Sequence, residues 1–75
     1  MATLTLSAVI HQEDALYVAE CPELGTVSQG GSVEEALANL KEATELFLEE
    51  RDEPVRLAPA FLTTFSVDCA NAEAA

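Results

Sequence analysis

From Thr3 to His11 (TLTLSAVIH) apolar and polar positions alternate. Leu4, Leu6, Ala8 and Ile10 fall on one face; Thr3, Thr5, Ser7 and His11 fall on the other with Val9. A period of two is that of a half-buried strand. Gln12, Glu13 and Asp14 make a polar turn, and Leu16 to Cys21 (LYVAEC) reads as a second strand. So short a connection predicts an antiparallel hairpin. Pro22 lacks the N–H that a ladder needs and stops the pairing. Gly25 lets the chain reverse, and Thr26 to Gln29 reads as a short third strand, completing a meander.

At Ser32 the period changes. Ser32-Val33-Glu34-Glu35 has the form of a capping box, in which the serine oxygen accepts from the N–H of Glu35 and the Glu35 side chain reaches back to the N–H of Ser32. From Val33 the apolar stripe runs through Ala36, Leu37, Leu40, Ala43, Thr44, Phe47 and Leu48, with Glu34, Glu35, Lys41, Glu42, Glu45 and Glu49 on the other side. Pro54 ends the helix, because the residue before a proline is pushed out of the helical region. At 1.5 Å per residue such a helix is roughly 28 Å long, enough to cross a small sheet. After Pro59, Phe61 to Asp68 (FLTTFSVD) alternates again, with Phe61, Thr63, Phe65 and Val67 on one face, and predicts a fourth strand. The expected fold class is α+β in the order β-β-β-α-β, an antiparallel meander with one helix on one face. It forms a single domain over residues 1–70, followed by a patternless tail, 71–75, expected to fray.

Seventy-five residues hold one small core, and cores of this size commonly gain stability from disulfides, metals or oligomerisation. Cys21 and Cys69 do not make a disulfide framework, and a lone histidine, His11, gives no zinc spacing. Self-association is the remaining expectation, as a homodimer or higher homo-oligomer built by strand-edge or sheet-face pairing. The open face would carry Tyr17 or Val9 according to register. No basic segment precedes an apolar run at Met1, and no apolar run approaches the roughly 20 residues that span a bilayer, so a cytoplasmic location is expected.

The net charge of −11 comes from 14 acids against Lys41, Arg51 and Arg56. Nucleic-acid affinity rests on Lys and Arg neutralising phosphates, so direct binding to DNA or RNA, or to an anionic membrane, is disfavoured. A basic protein partner is favoured instead, because opposite fields accelerate encounter. The glycines before the helix do not make a phosphate cradle: a P-loop needs a lysine and a hydroxyl directly after them, whereas Gly30-Gly31 is followed by Ser32-Val33-Glu34-Glu35. Gly30, Ser32 and Glu35 read as a joint between sheet and helix.

An extended first strand, a hairpin ending in Cys21-Pro22-Glu23-Leu24, then Ser28-Gln29-Gly30 and a capped helix reading Glu35-Ala36-Leu37-Ala38-Asn39-Leu40 with an acidic end resemble the HicB family of antitoxins. The resemblance covers about Thr3 to Arg51. It implies a partial ribonuclease-H-like domain that binds and masks a small basic toxin of the HicA type, an mRNA-cleaving protein with a double-stranded-RNA-binding fold. Two departures stand out: Leu24 runs straight into Gly25-Thr26 where relatives often carry Pro-Gly, and the chain stops after its fourth predicted strand. The resemblance therefore does not extend to the C-terminal DNA-binding segment of many relatives, and operator binding is not expected.

No catalytic residue, metal or cofactor is expected. A magnesium-dependent nuclease would need several carboxylates converging on one spot, whereas Glu13 and Asp14 lie in a turn, Glu20 near a strand end and most other acids along the outer helix face. A His11–Cys21 pair across the hairpin would need hydrogen-bond reach and a third, orienting group. The candidate partner surface is Glu42, Glu45, Glu49 and Glu50 around Leu46, which lies off the apolar stripe. The leading reading is an interaction module neutralising a basic toxin. The alternatives are a stand-alone acidic structural or regulatory homo-oligomer and a metal-dependent nuclease.

Overall fold

The computed structural model describes residues 3–71. Strands β1 (Val9–Glu13), β2 (Leu16–Cys21) and β3 (Thr26–Gly30) form an antiparallel sheet in the order β1-β2-β3, followed by helix α1 (Val33–Glu49). The meander and the single helix agree with the α+β architecture read from the periodicities. The β1–β2 connection is tighter than expected: Glu13 pairs with Leu16, leaving Asp14 and Ala15 as a two-residue turn with Asp14 at φ 55°. A positive φ at the first central position matches the right-handed twist of the flanking strands.

The register settles which residues face the helix. Ile10, Ala19 and Ser28 share the covered side, with Tyr17 packed against the core, and Val9, Val18 and Val27 lie on the open side. The core itself is small: Ala19, Cys21, Ala36 and Leu40 are buried, and Leu6, Ala8, Ile10, Tyr17 and Leu24 pack around them. Small residues at the crossing bring α1 close to the sheet. A Cβ placed on Gly30 would lie 2.6 Å from the Ala36 nitrogen. The one buried polar side chain among the described residues, Thr44, shares a 2.8 Å hydrogen bond with the Thr26 hydroxyl, so the helix is tied to β3 without leaving an unsatisfied group.

Two sequence expectations are corrected. The first strand was expected from Thr3 but pairs only from Val9, because its partner β2 ends at Cys21 and Pro22 cannot extend the ladder. Residues 3–8 continue as an unpaired arm, and their alternation turns Leu6 and Ala8 onto the core. The fourth strand, Phe61 to Asp68, does not form. Beyond Pro54 and Pro59 this segment lies off the sheet, with Phe61 89% and Phe65 88% exposed. Alternation describes a face that a strand could bury; it does not supply the edge to pair with. Of the tail expected to fray, residues 72–75 lie outside the described residues.

Candidate functional site

The Cys21-Pro22-Glu23-Leu24 stretch clamps the N-terminal arm. The Ser7 N–H donates to both Glu23 carboxylate oxygens, at 3.1 and 3.0 Å, and the Cys21 thiol donates to one of them at 3.5 Å. The Gly25 N–H closes the turn onto the Cys21 carbonyl at 2.7 Å, with Gly25 at φ 78°. Leu24 packs on the core below. These bonds hold the Glu23 carboxyl below its ordinary value of 4.5. Hydrogen bonding with the Ser7 side chain is the largest cause; partial burial opposes it, and the backbone N–H groups of Glu23 and Ser7 and the Cys21 thiol add to the lowering.

A carboxyl whose folded pKa lies below its unfolded one stabilises the fold above the unfolded pKa and loses that contribution as pH falls through the folded value. Acid should therefore weaken the protein below pH 4.5 partly through Glu23. Glu23→Gln should lower the urea midpoint at neutral pH and flatten its decline below 4.5. An unchanged slope in the variant would remove the clamp from the account of acid sensitivity.

The helix entrance is a joint, as its residues suggest. Ser32 caps α1 by accepting from the Glu35 N–H at 3.1 Å, and the Glu35 carboxylate takes the Gly31 N–H at 2.7 Å, one residue earlier than a capping box implies. Backbone donors that a phosphate would require are thus bound by the chain's own oxygens. His11 sits opposite Val18 on the open face, 3.2 Å from Glu13, while Cys21 is buried on the covered face, so the two do not meet. Exposed Cys69 bonds to Asn71 at 2.9 Å. Among the described residues, no three His, Cys, Asp or Glu side chains gather as metal ligands would.

Glu42, Glu45, Leu46 and Glu49 lie exposed along the second half of α1, at helical spacings of three and four, and exposed Glu50 follows as its C-cap. Leu46 is 52% exposed among them. Lys41 pairs with Glu45 at 3.0 Å, and Arg51 stacks over the Phe47 ring at 5.4 Å. Glu42, Glu49 and Glu50 form no ion pair among the described residues. No basic residue occupies the last turn of α1, so Glu49 and Glu50 face the negative end of the helix dipole uncompensated.

A second surface was not foreseen. Between the arm and α1 runs a groove of about 830 Å³, lined by Leu4, Leu6, Leu37, Leu40 and Leu48, with Lys41 beside them. Its trace in the sequence is the alternation from Thr3, which extends further back than the six-residue β2 can pair.

The chain is 52% identical over 46 residues to a UPF0150 protein of Helicobacter pylori (strain J99), a match covering 60% of this chain and 64% of that relative. It is 45% identical over 53 residues to a UPF0150 protein of a Synechocystis species, covering 68% of this chain and 74% of that relative. No family model matches the chain, and no solved structure matches it. None of the helices among the described residues is long and apolar enough to cross a membrane. On the strength of the Synechocystis match, the chain belongs to the UPF0150 family.

Proposed function

We propose that the chain is an interaction module that binds and masks a small basic protein, acting as a HicB-type antitoxin on a HicA-type mRNA-cleaving toxin. The observation that carries this reading is the acidic outer face of α1, where Glu42, Glu49 and Glu50 surround exposed Leu46 and form no ion pair among the described residues. An apolar anchor inside a ring of like charge suits a partner with the opposite field. The resemblance of Cys21-Pro22-Glu23-Leu24 and the capped helix to HicB proteins points the same way. Work of this kind needs no cofactor and takes place in the cytoplasm, where the mRNA is.

The test is a search beside this chain's gene for a reading frame encoding a short basic protein, followed by co-purification of the two and an mRNA-cleavage assay. A stable complex in which cleavage stops at stoichiometric antitoxin is the expected result. A neighbouring protein that neither binds the chain nor is inhibited by it rejects the proposal.

A further inference from the structure

The groove and the segment that failed to become a strand fit each other. Phe61, Leu62, Phe65 and Val67 of the C-terminal segment are 89%, 60%, 88% and 73% exposed. No hydrogen bond joins residues 52–71 to the rest of the described chain. Such exposure of two phenylalanines within five residues is unusual for a monomer, because large apolar surfaces mark sites of association. At the opposite side of the molecule's balance, the sheet ends at β1 with an unpaired edge, and the arm and α1 enclose an apolar groove beside it.

Charge favours the same match. Residues 54–67 (PVRLAPAFLTTFSV) hold Arg56 and none of the 14 acids, so this run carries +1 while the remainder of the chain carries −12. The least acidic part of the protein is its exposed apolar tail. Pro54 and Pro59 keep the connection from α1 extended. The described chain has a radius of gyration of 15.2 Å, against about 11 Å for a compact chain of this length. The tail therefore projects from its own body and leaves its own groove open. The core it leaves behind contains only four buried apolar residues, so each body lacks apolar cover that a tail could supply.

We infer that two copies of this chain exchange tails: residues Phe61–Val67 of each copy lie along the arm and groove of the other, with Phe61 and Phe65 inserted among Leu4, Leu37 and Leu48. The exchange is reciprocal and closes on itself, as two-fold assemblies do. It does not depend on the toxin-binding reading: of the acidic face only Glu45 borders the groove, and Glu42, Leu46, Glu49 and Glu50 lie outside it.

Two measurements test this. In sedimentation at high micromolar concentration the wild-type chain should be a dimer. Phe61→Asp/Phe65→Asp should weaken self-association by about a hundredfold or more, the scale of losing two buried aromatic side chains per tail. In a Cys69→Ser background, differently tagged chains carrying Leu37→Cys and Phe65→Cys should cross-link to one another through a short bifunctional maleimide. A chain carrying both substitutions should give covalent dimers. A monomeric wild type, a dimer indifferent to the Phe substitutions, or a doubly substituted chain that cross-links only within itself would each overturn the exchange, the last by showing that the tail folds onto its own groove.

Discussion

Gly30→Ala should destabilise the protein by about 3 kcal/mol, the upper range for overpacking a close contact. The added Cβ would meet the Ala36 nitrogen at 2.6 Å, the Glu35 Cγ at 2.8 Å and the Glu35 carbonyl carbon at 2.9 Å. Two of these atoms are backbone of the first turn of α1, so no side-chain rotation relieves the clash. The helix must move off β3, and with it go the Ala19–Ala36 packing and the Thr26–Thr44 hydrogen bond. A small domain with only a few kcal/mol in hand would be substantially unfolded. The other glycines supply the scale. Gly31→Ala should be near neutral, because its Cβ would come no closer than 3.7 Å, to a flexible carboxylate oxygen. Gly25→Ala should cost about 1 kcal/mol, since it has space but sits at φ 78°. Urea midpoints in the order Gly31→Ala, Gly25→Ala, Gly30→Ala, from most to least stable, are the expected outcome. A Gly30→Ala protein as stable as wild type would mean that α1 does not approach the sheet as described.

The same comparison shows what a sequence exposes and what it hides. The alternation that ends in Val9–His11, the strand Leu16–Cys21, the helical stripe from Val33 and the Ser32 cap are local properties, legible because neighbouring residues alone determine them; that β1 runs on through Gln12 and Glu13, read as a turn, is set by its pairing with β2. Pairing partners are not local. Thr3–Ala8 and Phe61–Val67 carry the same alternation as the true strands, yet one outruns the end of β2 and the other lies beyond a linker with two prolines. Gly30 reads from the sequence only as part of a joint between sheet and helix, whereas its value is the absence of a Cβ facing Ala36, a contact across the sheet–helix crossing. The Glu23 clamp was hidden for the same reason: its donor at Ser7 is 16 positions away. Within the acidic surface, helical spacing grouped Glu42, Glu45, Leu46 and Glu49, with Glu50 next after them. It did not reveal that Lys41 already engages Glu45.

Replacing Glu42, Glu45, Glu49 and Glu50 together by glutamine should move stability and partner affinity in opposite directions. In the free protein, removing Glu49 and Glu50 relieves carboxylates held against the negative end of the dipole, each worth about 0.3–1 kcal/mol. Removing Glu42 relieves its repulsion with Glu45 and Glu49 at spacings of three and seven, of which only the nearer pair is worth a few tenths of a kcal/mol. Glu45→Gln gives back a little by breaking its exposed pair with Lys41. The net result should be a free protein about 1 kcal/mol more stable, seen as a higher urea midpoint. Toward a basic toxin the same change should lower affinity by about tenfold or more. Most of the loss should come from slower association, and the salt dependence of binding should flatten, because long-range attraction between exposed charges is what screening removes. Leu46→Ala should instead speed dissociation and leave the salt dependence intact, as the loss of an apolar anchor does. Opposite signs matter here: a variant that binds less well because it is damaged would also be less stable. A quadruple variant that is stabilised yet binds the toxin unchanged would separate the acidic face from partner recognition and leave its charge as a cost to the helix with no functional return.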